Sequence, residues 1–432
     1  MIVLIIFLIL LVLLMVGVSV PFSFGAATAV LQIIYDFNPV ALLTTSFGKI
    51  QSVTLLAIPM FVLAGGVMEK GKIGGALIDF VDAFFGRIRG GLAIVTCVTS
   101  AIFGSICGSG AATLSCVGSI IAPRAKEKHY PTPTMAAIAC CASPLGLLIP
   151  PSGAQILIAW TMNISVLSCF LSTVIPGIML TILLSIGSWI LLRKDKDIIY
   201  ETKMPPREKL RDTGRRTIYA LPALFMPVII LGGIYSGAMT ATESAGIAVL
   251  YAVPVSILIY KGFKMRELFP IIKETAVSTG VVMCMVAIIS MLSRVLTQLQ
   301  IPQIVADALI SVSDNKYVIL LMLNLFMIIL GMIMDDTSGI LLAAPILFPI
   351  ATSLGLSPYH FAAVMGVNLG MGCITPPTAP FLYLSSRVFK TSTAREIKPM
   401  LFLIVFAYVP TLLVTTYWPA FSTWLPTLIM GA

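Results

Sequence analysis

Ser143-Pro144-Leu145-Gly146-Leu147-Leu148-Ile149-Pro150-Pro151-Ser152 and Asn368-Leu369-Gly370-Met371-Gly372-Cys373-Ile374-Thr375-Pro376-Pro377-Thr378 are two places where an apolar run is cut by a double proline. About forty residues ahead of each lies another interruption, Phe103-Gly104-Ser105-Ile106-Cys107-Gly108-Ser109-Gly110 and Leu330-Gly331-Met332-Ile333-Met334-Asp335-Asp336-Thr337-Ser338-Gly339. Paired interruptions at matching spacing in two halves of an apolar chain point to the binding site of a membrane transporter.

The rest of the chain supports a membrane setting. Of 432 residues 58% are hydrophobic and only 10% charged, with a mean hydropathy of +1.04, which excludes a water-soluble domain. Apolar runs at 2–21, 166–192, 221–237, 246–260, 281–292, 317–334 and 401–417 are mostly bounded by charges, prolines or glycines, and about ten crossings or half-crossings fit the length. The first run lacks a basic leader and an Ala-x-Ala cleavage site, so it reads as a retained helix. The formal charge of +9 sits in short loops between apolar runs, the pattern of a positive cytoplasmic side, and does not argue for nucleic acid. The clearest such loop is predicted over 193–216, where it divides the chain in two. Eight cysteines, all in apolar stretches without Cys-x-x-Cys spacing, disfavour disulfides and zinc. His129 and His360 adjoin Tyr-Pro and Pro-Tyr loop signals, which disfavours a catalytic metal.

A shift of about 226–227 positions lays Gly331 on Gly104, Pro358 on Pro131 and Pro376-Pro377 on Pro150-Pro151, the mark of an internal repeat. The arms flanking Cys107–Ser109 read as about twelve to fifteen residues, too short to cross about 30 Å of hydrocarbon, which predicts re-entrant hairpins. Arg87 and Arg89 on one side and Arg124, Lys126 and Lys128 on the other put the ends of the first hairpin in the cytoplasm. Ser313-Asp314-Asn315 and 353–357, with only Lys316 nearby, put the ends of the second outside. The fold expected is an all-α polytopic membrane protein with two inverted-topology repeats, each a re-entrant helical hairpin and a discontinuous helix.

A helix broken at mid-membrane exposes a positive end suited to a carboxylate and a negative end of freed carbonyls suited to a small cation. Pro150, Pro151, Pro376 and Pro377 lack N–H donors, freeing oxygens around Gly146, Ile149, Gly372 and Thr375, hard ligands that suit Na⁺. The first tip adds Ser105 and Ser109; the second adds Asp335, Asp336 and Thr337. A carboxylate at membrane depth is a functional candidate by default, while Asp336 also suits a helix N-cap and the small residues also suit close helix packing. Thr240 and Glu243 have capping-box spacing, and Arg294 interrupts an apolar helix as an anion ligand, an ion-pair partner or a snorkelling cation. Gly66-Val67-Met68-Glu69-Lys70-Gly71-Lys72 mimics a phosphate loop, but Ile73 stands where Ser or Thr must ligate Mg²⁺, so ATP is excluded as energy source.

Together with Ala57-Ile58-Pro59-Met60-Phe61 and Thr240–Ala245, these motifs, in order and end to end, resemble the large membrane subunit of tripartite ATP-independent periplasmic (TRAP) transporters. The resemblance implies an elevator-type architecture in the bacterial inner membrane, driven by Na⁺ with no organic cofactor. Implied partners are a soluble periplasmic protein that captures an organic acid, commonly a dicarboxylate or sialic acid, and a small four-helix membrane subunit, expected here as a separate chain. It further implies one sodium site from Cys107 and Ser109 with oxygens of Gly146, Ile149 and Pro151, and another from Asp335, Asp336, Thr337 and Ser338 with Gly372, Thr375 and Pro377. Ser105 joins the first set, and substrate contacts are expected from Ser109, Ser152, Asn368 and Thr378. Cys107 and Pro144 depart from the family, which more often has serine at the first and glycine or serine at the second, so main-chain oxygens carry the ligation there.

The expected organisation is N-terminal scaffold helices over 1–50, a first repeat over 51–165 (hairpin about 92–123, discontinuous helix about 133–163) and scaffold helices over 166–275. A second repeat over 276–390 (hairpin about 318–351, discontinuous helix about 358–386) and a scaffold helix over 391–432 complete it. Two rivals stand beside this reading: a sodium–carboxylate symporter working alone, and an intramembrane serine hydrolase with Ser109 as nucleophile, which needs a base within hydrogen-bond reach.

Overall fold

The computed structural model describes residues 8–10, 12–14, 16–199, 205–313 and 315–431, and every regular element among them is helical. Residues 2–7, 11 and 15 of the predicted first helix, 200–204 of the predicted cytoplasmic loop, and Asp314 lie outside this description.

Two amphipathic helices, α1 (Val20–Tyr35) and α2 (Pro39–Ile50), precede α3 (Ala57–Lys70) and α4 (Ile73–Phe85). The first hairpin is α5 (Gly91–Cys107) and α6 (Gly110–Glu127); the first interrupted helix is α7 (Thr132–Ala142), a single turn α8 (Leu145–Leu148) and α9 (Gly153–Met162). Long helices follow at α10 (Val166–Leu192), α11 (Pro206–Tyr235), α12 (Ala241–Pro254) and α13 (Leu268–Gln298), then the short α14 (Ile301–Val312). The second hairpin is α15 (Lys316–Ile333) and α16 (Asp336–Ser353), and the second interrupted helix is α17 (Pro358–Gly372) and α18 (Pro380–Phe389). Helices α19 (Thr393–Leu403), α20 (Val409–Tyr417) and α21 (Ala420–Met430) close the chain.

Eight helices among the described residues are long and apolar enough to cross a bilayer, or nine if α7–α9, bent by 45°, counts as one span. Their outward faces are the reverse of a soluble protein's. On α10, Ile178, Ile182 and Ile186 recur at helical spacing and are all exposed, as are Leu321, Leu325 and Ile329 on α15. Such stripes suit hydrocarbon and would be a liability in water. Polar groups turn inward: Asn368 Nδ2 donates to Asn324 Oδ1 (2.9 Å), and Asn324 Nδ2 to Thr416 Oγ1 (3.0 Å), joining α17, α15 and α20 by the kind of buried polar contact that links helices where water offers no competing partner.

Several boundaries differ from the sequence reading. The hairpin arms are longer than twelve to fifteen residues: 17 and 18 in the first, 18 and 18 in the second, and both arms of the second are long enough to cross. Pro123, Pro345 and Pro349 lie inside helices, where neighbouring groups in a packed membrane protein meet the freed carbonyls. The predicted loop over 193–216 ends at Pro205, beyond which Pro206–Tyr235 is helical and carries Arg215 and Arg216 on its first turns. Pro205 and Pro206 start that helix, a position where a missing N–H costs nothing. His360 is the third residue of α17 and buried, its Nε2 2.7 Å from the Thr415 carbonyl oxygen, rather than in a loop; His129 does occupy a turn, with φ +55°.

One end of the molecule gathers the basic residues. Ile199 N–H donates to the Lys128 carbonyl (3.0 Å), and a chain of ion pairs ties α4 to α11: Arg216 to Asp82 and Asp212 (3.1 Å each), and Arg87 to Asp212 (3.0 Å). Asp82 is only 10% exposed, so screening is weak there. Asp82→Asn leaves the Arg216 guanidinium half-paired in that setting, and is expected to cost about 1–2 kcal/mol, between the values for exposed and fully buried pairs. A thermal-shift assay in detergent checks it: a lower unfolding temperature is expected, and an unchanged one removes the cluster from the stability account.

Candidate ion and substrate site

The first hairpin turns at Gly108, whose φ of +62° only glycine adopts freely, and Ser109, which is extended and caps α6 through its hydroxyl and the Ala112 N–H. The tip is held to the first break. The Gly153 N–H donates to the Gly108 carbonyl (3.1 Å), and a β-carbon on Gly104 would lie 2.6 Å from Gly146 Cα. Gly146 stands four residues before Pro150, so its carbonyl has no helical donor; the Leu147 carbonyl, four before Pro151, is met by the Ser152 hydroxyl at 2.7 Å. Ile149 is extended and leads into a cis Pro150–Pro151 bond.

The second hairpin breaks at Met334 and Asp335, both extended. Asp335, not Asp336, holds the N-cap position of α16, and its carboxylate accepts from the Ser338 hydroxyl instead of a backbone N–H. Asp336 is the first helical residue, half-buried beside it. Gly331 meets Gly372 as Gly104 meets Gly146: a β-carbon on Gly331 would lie 2.9 Å from Gly372 Cα. Gly372 stands four residues before Pro376 and Cys373 four before Pro377; here the Cys373 carbonyl is met by the Phe381 N–H (3.2 Å), and the Gly372 carbonyl by the Thr375 N–H (2.9 Å). Pro376–Pro377 is also cis, and the Thr378 hydroxyl reaches back to the Met332 carbonyl of the hairpin.

The two breaks meet. A β-carbon on Gly370 would sit 3.1 Å from Pro144 Cβ, and one on Gly366 3.3 Å from Leu148 Cδ2, so the interrupted helices cross against each other. Each hairpin's second arm packs on the other break's outgoing helix, α6 on α18 and α16 on α9; Gly110 lies directly against the Phe381 ring. This reciprocal arrangement brings Ser109, Gly146, Ile149 and Pro151 to one tip-and-break contact, and Asp335, Asp336, Ser338, Gly372, Thr375 and Thr378 to the other.

Some predicted residues are not so placed. Asn368 is fully buried in its ladder with Asn324, one turn back from the break, and does not line it. Ser152 is fully buried as the cap of α9, and Ser105 spends its hydroxyl on the Ile102 carbonyl (2.7 Å). The Pro377 carbonyl accepts from the Tyr383 hydroxyl at 3.2 Å. The departure at Cys107 leaves its thiol 3.2 Å from Thr113 Oγ1 and 3.5 Å from the Ser109 carbonyl.

Two residues were missed. Thr113, one turn into α6, donates to the Ser109 carbonyl (2.8 Å) and lies where a β-carbon on Gly146 would be 2.7 Å from its oxygen. Gln155 is fully buried on α9, both its amide oxygen and nitrogen lack a hydrogen-bond partner among the described residues, and Gly366 makes room for it. An unpaired buried amide costs about 1–3 kcal/mol. The signal lay in the polarity of Gln155 within Gly153–Trp160, an otherwise apolar segment after the break.

Other motifs resolve simply. Thr240 and Glu243 form the capping box of α12. The phosphate-loop mimic is the C-terminal half of α3 with its turn. All eight cysteines are unpaired. Arg294 is exposed on α13 and close enough to Lys49 that, after partial burial, its charge is what pushes the Lys49 ammonium below the usual lysine range. Lys49, in turn, lies over the Trp160 ring, 6.0 Å from its centroid. The Ser109 hydroxyl is engaged with its own helix, and no imidazole or amine is among its partners.

Interrupted helices crossing between two hairpin tips, inside a bundle that faces lipid, define a membrane transporter. A family model for the DctM component of tripartite ATP-independent periplasmic transporters matches residues 7–421. The chain is 36% identical over 409 residues to the C4-dicarboxylate TRAP transporter large permease protein DctM of Pseudomonas aeruginosa, covering 94% of this chain and 93% of that one. It is 32% identical over 384 residues to the sialic acid TRAP transporter large permease protein SiaM of Vibrio cholerae, covering 89% and 88%. Among solved structures it resembles the Alcanivorax borkumensis YdaH transporter, with a TM-score of 0.62 at 16% identity over 88% of this chain and 89% of that one, a likeness of fold. The chain belongs to the DctM family of TRAP transporter large permeases. It is a multi-pass protein of the bacterial inner membrane and a transporter, not an enzyme.

Proposed function

We propose that this chain is the sodium-coupled, substrate-translocating subunit of an organic-acid importer working by an elevator motion. The observation that carries this reading is the seating of each tip on its own proline break, Gly104 on Gly146 and Gly331 on Gly372, together with the packing of each hairpin's second arm on the other break's outgoing helix, which brings α5–α9 and α15–α18 into contact. The matching element order of the two halves supports an inverted repeat, and hard oxygens of low total charge favour Na⁺ over a transition metal. The first ion site consists of Ser109, Gly146, Ile149 and Pro151 with Thr113; the second of Asp335, Asp336, Thr337, Ser338, Gly372 and Thr375. Gln155, Ser109 and Thr378 are the substrate-facing polar groups.

The substrate is a small organic acid of the dicarboxylate or sialic-acid kind, delivered by a periplasmic binding protein, with a small membrane subunit completing the scaffold around α1–α4 and α10–α13. If two Na⁺ accompany a monoanion such as a sialic acid, one net charge moves inward, worth about 2.3 kcal/mol per 100 mV, whereas a dianionic dicarboxylate with two Na⁺ moves none; each tenfold sodium gradient adds about 1.4 kcal/mol per ion in either case. Proteoliposomes holding this chain and its small subunit test the reading. Uptake of a labelled dicarboxylate is expected only with an inward sodium gradient and the binding protein together. Sodium-driven uptake without the binding protein would favour the stand-alone symporter, and uptake indifferent to sodium would refute the coupling.

A further inference from the structure

The basic end of the molecule holds a cavity of about 770 Å³ between the end of α6, the start of α7 and the α18–α19 turn. Lys126, Lys390 and Arg395 line it, and none of the three makes an ion pair among the described residues. Among the described residues no carboxylate lines it. The two nearest in sequence are turned elsewhere: Glu127 lines a separate cavity beside Arg124, and Glu396 is fully buried against the Ser385 hydroxyl. Thr132, Thr391 and Ser392 add hydroxyls, and the Ser392 side chain, though at the N-cap of α19, caps no backbone N–H; the Arg395 N–H is met by the Ser392 carbonyl (3.0 Å). The floor is apolar, from Pro123 and Phe389.

Three exposed cations, unpaired among the described residues and gathered around one concavity, concentrate a positive potential that attracts an anion. Their position narrows the choice. They stand at the ends of membrane-embedded helices, the level of lipid headgroups, on the face where lysine and arginine collect, and the apolar floor matches the glycerol and first acyl carbons below a phosphate. A freely dissolved carboxylate would have no use for that floor. We propose that this cavity binds the phosphodiester headgroup of an anionic phospholipid, of the phosphatidylglycerol kind, with Lys126, Lys390 and Arg395 around the phosphate. The inference does not rest on sodium coupling or on the transported acid.

The test uses the full chain in nanodiscs and in detergent, with lipid binding read by native mass spectrometry and by fluorescence of labelled lipid. Phosphatidylglycerol is expected to bind at least about tenfold more tightly than phosphatidylcholine, and the Lys126→Gln/Lys390→Gln/Arg395→Gln variant to weaken it about a hundredfold, at about 1 kcal/mol per cation. Lys194→Gln/Lys196→Gln/Lys209→Gln, removing equal charge from the same end outside the cavity, is expected to change it less than about threefold. Ala122→Trp fills the cavity with its charges kept and is expected to exclude the headgroup as well. Equal losses from the two charge variants, or full binding by Ala122→Trp, would reduce the effect to general surface potential and overturn the site. Inorganic phosphate and glycerol phosphate are the soluble arms: competition by either at concentrations similar to the lipid would show a free-phosphate site and overturn the lipid assignment.

Discussion

Asp335→Asn is expected to raise the sodium concentration needed for half-maximal uptake about 10- to 100-fold, with little loss of folded protein. The substitution keeps size and keeps an oxygen able to accept from the Ser338 hydroxyl, so the α16 cap survives. What it removes is one of the two carboxylates at this helix break, where a carboxylate–cation contact is worth about 1.5–3 kcal/mol. Uptake against sodium concentration, measured with the binding protein in excess, reads the shift directly. A wild-type sodium curve from the variant would mean that Asp335 only ends a helix. Asp336→Asn separates the two carboxylates: Asp335 accepts from the Ser338 hydroxyl, while the Asp336 carboxylate is met by backbone N–H groups of its own turn.

The second large effect is steric. Gly104→Ala places a methyl 2.6 Å from Gly146 Cα and 2.8 Å from its nitrogen, and Gly331→Ala places one 2.9 Å from Gly372 Cα and 3.0 Å from the Leu369 carbonyl. The obstacles are backbone atoms, which cannot rotate away as a side-chain end would. Each variant is expected to cost about 1–3 kcal/mol and to push the tip off the break, abolishing most uptake even where the protein still inserts. Gly232→Ala is the control, since nothing lies within 4 Å of a β-carbon there and alanine favours a helix interior. Full activity from Gly104→Ala and Gly331→Ala would mean that tip and break are not in functional contact.

What the sequence made legible follows from which residues force backbone geometry. Proline removes a donor wherever it stands, so Pro150-Pro151 and Pro376-Pro377 announced both breaks, and Gly108 with Ser109 announced the first turn. Side-chain roles were less legible because they depend on which groups arrive from elsewhere in the chain. Asn368 was read as a substrate contact; the structure adds a hydrogen bond from it to Asn324, distant in sequence, that no local pattern announces. Thr113 and Gln155 carry no motif; only the close approach of Gly146 and Gly366 reveals where they point. Arm lengths were underestimated in the first hairpin, where the helix continues through Pro123 because membrane packing meets the carbonyl that proline frees.

The most direct measurement is equilibrium binding of radiolabelled sodium to the purified chain, without substrate or binding protein. Saturable binding is expected in the wild type, with part of it lost in Asp335→Asn and the remainder lost when Gly146→Leu is added. A chain that folds normally and binds no sodium saturably, or binds it equally in all three forms, would contradict the claim that these oxygens hold the coupling ions.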